Sequence, residues 1–148
     1  MYISLREQIA DAIVEILQSI DDPKCVLVTR EPFEVEKLAI TQFPALLIQM
    51  TSEDRQTITM GMGGQGRRQG VITYNIRGFV RGTDLDKRRN ELTTAIETAL
   101  DTDRYLGLAE HGVTDSQLTR VEIVNRLPPL AELSLTFIVN YNYLRGQA

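Results

Sequence analysis

Tryptophan is absent from this chain, and histidine and cysteine occur once each, as His111 and Cys25. A single cysteine excludes an internal disulfide and fits a reducing compartment. A zinc site draws at least three ligands from the protein, and no ligand spacing surrounds His111 or Cys25. Long apolar runs are missing too, since no window reaches the ~20 residues that a transmembrane helix needs. The start, Tyr2-Ile3-Ser4-Leu5-Arg6-Glu7-Gln8 with Asp11 and Glu15 following, lacks the basic head and unbroken apolar stretch of a secretory signal. The expected setting is a cytoplasm, or a particle assembled in one.

What is present suits one domain spanning 1–148. The chain is 43% hydrophobic and 24% charged, enough apolar content for one core and too much for wholesale disorder. A net charge of -4 gives no global attraction to nucleic acid or an anionic membrane. No internal repeat, linker or low-complexity tract divides the sequence.

Leu5, Ile9, Ala12, Ile13, Ile16, Leu17 and Ile20 form one apolar stripe of a helix, with Arg6, Asp11, Glu15 and Gln18 turned away. Ser4 and Glu7 have the spacing of a capping box, and Asp21-Asp22-Pro23 stops the helix. Val26-Leu27-Val28 is a short strand, and Pro44 introduces Ala45-Leu46-Leu47-Ile48-Gln49-Met50, an apolar run suited to a strand buried on both faces. Gln56 to Met60 is also β-prone. Gly61-Met62-Gly63-Gly64-Gln65-Gly66-Arg67-Arg68-Gln69-Gly70 reads as a flexible loop, about 61–70, joining antiparallel strands in a long hairpin. Beyond it Ile72, Tyr74, Ile76 and Val80 alternate with Thr73, Asn75, Arg77 and Arg81.

Thr83 and Asp86 form a variant capping box for a second helix bearing Leu85, Leu92, Ala95, Ile96, Ala99 and Leu100. Asp101 to Gly112 reads as a structured loop. Thr119, Val121 and Ile123 then alternate with Arg120 and Glu122, and Leu127-Pro128-Pro129-Leu130 makes a turn. Leu133, Leu135, Phe137, Val139, Tyr141 and Tyr143 alternate with Ser134, Thr136, Asn140 and Asn142 in the last strand. The expected fold is α+β in the order α-β-β-β-α-β-β, with two amphipathic helices on a mostly antiparallel sheet of about five strands.

Chemistry is hard to place on this frame. His111 sits in a loop, Cys25 follows a turn into a strand, and no serine stands in a Gly-x-Ser-x-Gly elbow. The carboxylate pairs Asp84 with Asp86 and Asp101 with Asp103 flank helix ends, where they act as caps and turn formers. After Asp101-Thr102-Asp103 come Arg104, Tyr105 and Leu106, which cannot supply the oxygens of a calcium loop. The glycines of 61–66 precede a strand rather than the helix a phosphate cradle requires. No catalytic residue, cofactor or metal is expected.

One charge feature stands out. From Gly61 to Arg81 there are four arginines, Arg67, Arg68, Arg77 and Arg81, and no carboxylate. Ten carboxylates against five cations precede this stretch, and ten against seven follow it. A cationic hairpin on an acidic body is a candidate protein interface, because guanidinium forks pair carboxylates.

The arrangement resembles the tail terminator proteins of tailed phages, small neck proteins also described as minor tail or tail completion proteins. The likeness rests on the helix beginning at Leu5-Arg6-Glu7-Gln8-Ile9 and the strand entry Phe43-Pro44-Ala45-Leu46-Leu47. It continues in Thr73-Tyr74-Asn75-Ile76-Arg77-Gly78-Phe79-Val80, in the second helix with its exit Leu100-Asp101-Thr102-Asp103-Arg104-Tyr105-Leu106-Gly107, and in the closing Asn140-Tyr141-Asn142-Tyr143. It implies a ring, commonly a hexamer, in the neck of a virion. Such a ring caps the head-proximal end of the tail tube, stops tube polymerisation and joins the tail to the head-tail connector. The implied partners are other copies of the chain, the tail tube protein and the connector, with the genome passing through the ring. No membrane, cofactor or sequence-specific nucleic acid is implied. The rival readings are a connector or adaptor of the same neck, and a small α+β ligand-binding domain or enzyme.

Overall fold

The computed structural model describes residues 3–57 and 67–144. Its elements are α1 (Leu5–Gln18), β1 (Leu27–Thr29), β2 (Ala45–Thr57), β3 (Arg67–Arg81), α2 (Leu85–Asp101), β4 (Val113–Val124) and β5 (Leu130–Leu144). The expected α+β class and the order α-β-β-β-α-β-β are what the chain forms. Five strands make one sheet in the order β1-β2-β3-β5-β4. β1 runs parallel to β2, and every other neighbouring pair is antiparallel.

Both helices cover one face. α1 buries Leu5, Ile9, Ala10, Ile13 and Leu17, and α2 buries Leu92, Ile96 and Leu100. They meet Leu46, Ile48, Ile72, Tyr74 and Ile76 of the central strands and Leu133, Leu135, Phe137, Val139 and Tyr141 of β5 in one apolar cluster. The alternation read for β5 thus points as expected. Gly78 lies beneath α2, where a Cβ would come within 3.1 Å of Leu92 and 3.2 Å of Leu133, so its bare backbone lets the helix settle close.

The other face carries a smaller core. The connection from β1 to β2 folds over it through 3-10 turns at Val35–Lys37 and Ile40–Gln42. Val35 packs there with Ala45, Leu47 and Phe79, flanked by Phe33, Leu38 and Phe43. This lid explains why Ala45-Leu46-Leu47-Ile48 is apolar without alternation, since both sides of that strand are covered.

Helix starts differ from one another. Ser4 accepts a hydrogen bond from the Glu7 amide at 3.2 Å, as the capping-box spacing requires, but the Glu7 side chain pairs with Arg30 instead of turning back. At α2 the cap residue is Asp84, in a left-handed conformation (φ 52°) with no side-chain cap bond. Thr83 contributes its carbonyl, which accepts from Arg88 Nε at 2.7 Å, and Asp86 pairs with Arg89 at 2.9 Å.

Three register shifts interrupt the ladders, between Met50 and Ser52, between Val113 and Asp115, and between Leu118 and Arg120. The extra residue is a threonine each time. Thr51, Thr114 and Thr119 donate their hydroxyls to the carbonyls of Thr73, Asn140 and Thr136 on the neighbouring strand, at 3.1, 3.2 and 3.5 Å. A bulge leaves the ladder locally short of bonds, and the hydroxyl restores one.

Candidate protein-interaction surfaces

β3 begins at Arg67, earlier than the alternation predicted, so Arg67 to Gly70 belong to a strand. Positions 58–66, which include most of the glycine loop, lie outside the described residues. Within the strand, Arg67, Arg77 and Arg81 fall at positions of one parity and Arg68 at the other, so Arg68 shares the helix-covered face with Ile72. At about 3.3 Å per residue, Arg67 and Arg81 are ~45 Å apart. The four arginines therefore divide into a pair at each end of β3.

Arg77 is committed within the molecule. Its Nε donates to Glu132 Oε2 at 2.9 Å, and Arg126 Nε donates to Glu132 Oε1 at 2.5 Å. Arg126 continues to Glu36 at 3.1 Å, and both guanidiniums sit over the Phe79 ring, at 5.1 and 5.5 Å from its centre. Glu132, only 2% exposed, stands opposite Phe79 across the strands. A buried carboxylate needs such partners, and these tie the β4–β5 connection and the 3-10 lid to the sheet. Arg68 and Arg81 form no ion pair with any described carboxylate.

A second polar cluster lies where β2 and β3 run past the start of α1. Arg6, expected to face solvent, pairs with Glu53 at 2.7 Å, and Arg55 joins the same carboxylate. The Thr51 bulge causes this, because the extra residue reverses the alternation of β2 and turns Glu53 and Arg55 toward the helix side. Burial alone would raise the Glu53 carboxyl, but hydrogen bonds from Arg6 and Arg55 outweigh it and hold the pKa below the ordinary carboxylate value. Arg55 lies 5.1 Å from the centre of the Tyr143 ring. The Tyr141 ring lies against Gly70, where a Cβ would come within 2.4 Å of it. Burial, with Glu53 nearby, pushes the Tyr141 phenol up to about 12.

The hydroxyls of Tyr74, Tyr141 and Tyr143 are buried without a hydrogen-bond partner among the described residues. Tyr74 lines a cavity of about 220 Å³ with Ser4, Arg6, Glu7 and Arg30, polar and roomy enough for water.

Two further exposed features lie among the described residues. β4 is an edge strand of 12 residues. On its helix side Val121 and Ile123 lie 44% and 50% exposed, while Arg120 and Glu122 pair with each other at 2.5 Å. A groove of about 1050 Å³ runs between α2 and the turn after α1, lined by Asp21, Asp22, Asp86 and Glu91 with Lys87 as the one cation.

The groups considered for chemistry have structural settings. Asp103 accepts from the amides of Tyr105 and Gly107 at 2.9 and 2.8 Å, shaping the loop after α2. His111 is exposed in a 3-10 turn. Cys25 is buried, which pushes its thiol up to about 11. Among the described residues no group of three His, Cys, Asp or Glu side chains is placed to hold a metal. No helix among them is long and apolar enough to cross a membrane.

The same fold occurs in a chain from the virion of a native gene transfer agent (GTA) particle. The two superpose with a TM-score of 0.51 over 90% of this chain and 93% of that one, at 10% sequence identity. No family model matches the sequence, and no curated protein does. The likeness is one of fold.

Proposed function

We propose that this chain is a structural protein of a phage-like virion and, within that class, a tail terminator. In this reading it forms a ring, a hexamer, at the head-proximal end of the tail tube. There it halts tube growth and presents a surface to the head-tail connector. The observation that supports the virion assignment is the near full-length likeness of fold to a chain of a GTA virion. The terminator role rests on the sequence resemblance. The protein works by binding, without a catalytic centre or cofactor, and Arg67 and Arg68 are its candidate contacts. Arg77 contributes by fixing Glu132 and the lid, and Arg81 by its charge at the opposite end of β3.

Native mass spectrometry of the purified chain should show a closed oligomer, with six copies expected. Added at low molar ratio to the polymerising tube protein of the same particle, it should shorten the tubes. Tubes of unchanged length would remove the terminator role and leave the connector. A strict monomer carrying a small molecule would overturn both.

A further inference from the structure

The ring reading leaves open which surfaces join one copy to the next, and the positions of the charged groups on the fold supply an answer. A ring closed by a heterologous contact needs two different, complementary patches on each copy. One is basic: Arg67 and Arg68 at the start of β3, within a stretch from Gly61 to Arg81 that holds no carboxylate. The other is the acidic groove between α2 and the turn after α1, lined by Asp21, Asp22 and Glu91 with Lys87, and by Asp86, which is paired with Arg89.

These patches lie at opposite ends of the molecule. β1 begins opposite Ala45, which pairs with Phe79 near the Arg81 end of β3. Asp21 and Asp22 lie in the turn between α1 and β1 and line the groove together with Asp86, Lys87 and Glu91, so they sit at that end. Asp86 and Glu91 lie in the opening turns of α2, which starts just after Arg81. Arg67 is a strand length of ~45 Å away. Nor can the Arg67–Arg68 end bend back, because it is paired with Leu144 and Tyr143 of β5. Arginine tip and acidic groove cannot meet within one chain.

We infer that the groove receives the Arg67–Arg68 end of the neighbouring copy, a head-to-tail contact between identical chains. This rests on the ring reading of the preceding section and names its interface. Charge complementarity selects a second copy as the occupant. The groove carboxylates are exposed, so the contact weakens as salt screens them.

The test uses full-length chains and native mass spectrometry across a dilution series. Reversing the tip (Arg67→Glu with Arg68→Glu) or the groove (Asp21→Lys with Asp22→Lys) should each raise the concentration for half-assembly by about tenfold or more. Combining all four should recover assembly to within about threefold of the wild type. A combined variant that assembles no better than either half, beside a wild type that forms rings, overturns this contact and leaves the ring reading standing. Half-reversals that assemble like the wild type do the same. A wild type that stays monomeric throughout the series removes the ring reading, and this contact with it.

Discussion

Glu53 and Glu132 show how a single carboxylate can organise its surroundings. Glu132 is buried and Glu53 half-buried, and each is held by two arginines, Arg6 and Arg55 for Glu53, Arg77 and Arg126 for Glu132. Removing the acid leaves two cations facing each other across a partly dry site. Glu132→Ala is therefore expected to cost about 2–4 kcal/mol, less than a fully buried pair because both arginines reach solvent, as read from urea denaturation at neutral pH. Glu53 carries a pH signature as well. Its folded pKa lies below the ordinary value, so the stability it contributes is fully present above the unfolded pKa. That contribution is lost as pH falls through the folded one. Denaturation midpoints at pH 7 and pH 3.5 should differ less for Glu53→Gln than for the wild type. An equal difference would show that Glu53 does not drive the loss. Gly70 is tested by size: Gly70→Ala drives a methyl into the Tyr141 ring and should destabilise by about 1–3 kcal/mol. None of these roles was legible beforehand, because each depends on a partner from a distant part of the chain.

At the scale of elements, the threonine bulges decide which side chains face the helices. Thr51 is the most consequential, since the reversal of alternation after it brings Glu53 under Arg6. Thr51→Val keeps the shape and removes the bond to the Thr73 carbonyl. A loss of about 0.5–1.5 kcal/mol is expected in thermal or urea unfolding, whereas no change would show the hydroxyl to be idle. Helices and strands were readable from periodicity, down to the apolar stripe of α1 and the alternation of β5. Bulges were not, since a threonine in a bulge and a threonine in a regular strand look alike in sequence. Nor did the alternation of Val121 and Ile123 show that the β4 edge leaves them half exposed.

For the whole molecule, the layout separates a structural interior from a surface free to bind. Arg77 and Arg126 serve the fold, whereas Arg68 and the groove carboxylates Asp21 and Asp22 have no ion-pair partner among the described residues. A ring built by tip and groove predicts salt-sensitive assembly. Raising the salt from about 0.05 M to 0.5 M shortens the screening length to a few ångströms and should shift the native mass spectrum toward monomer. An oligomer indifferent to salt would point to an apolar interface instead, and the exposed β4 edge offers one such surface among the described residues.

The sequence by itself determined the fold class, the order of the elements and the apolar face of nearly every one, because helix and strand periods are local properties of the chain. It also marked the run of arginines without carboxylates. Only the tertiary structure decided what those arginines do, dividing one apparent patch between the two ends of a 15-residue strand and engaging Arg77 with a glutamate 55 positions away. Charge along a sequence states how many groups there are. Which of them remain free to meet another molecule depends on where the strands carry them.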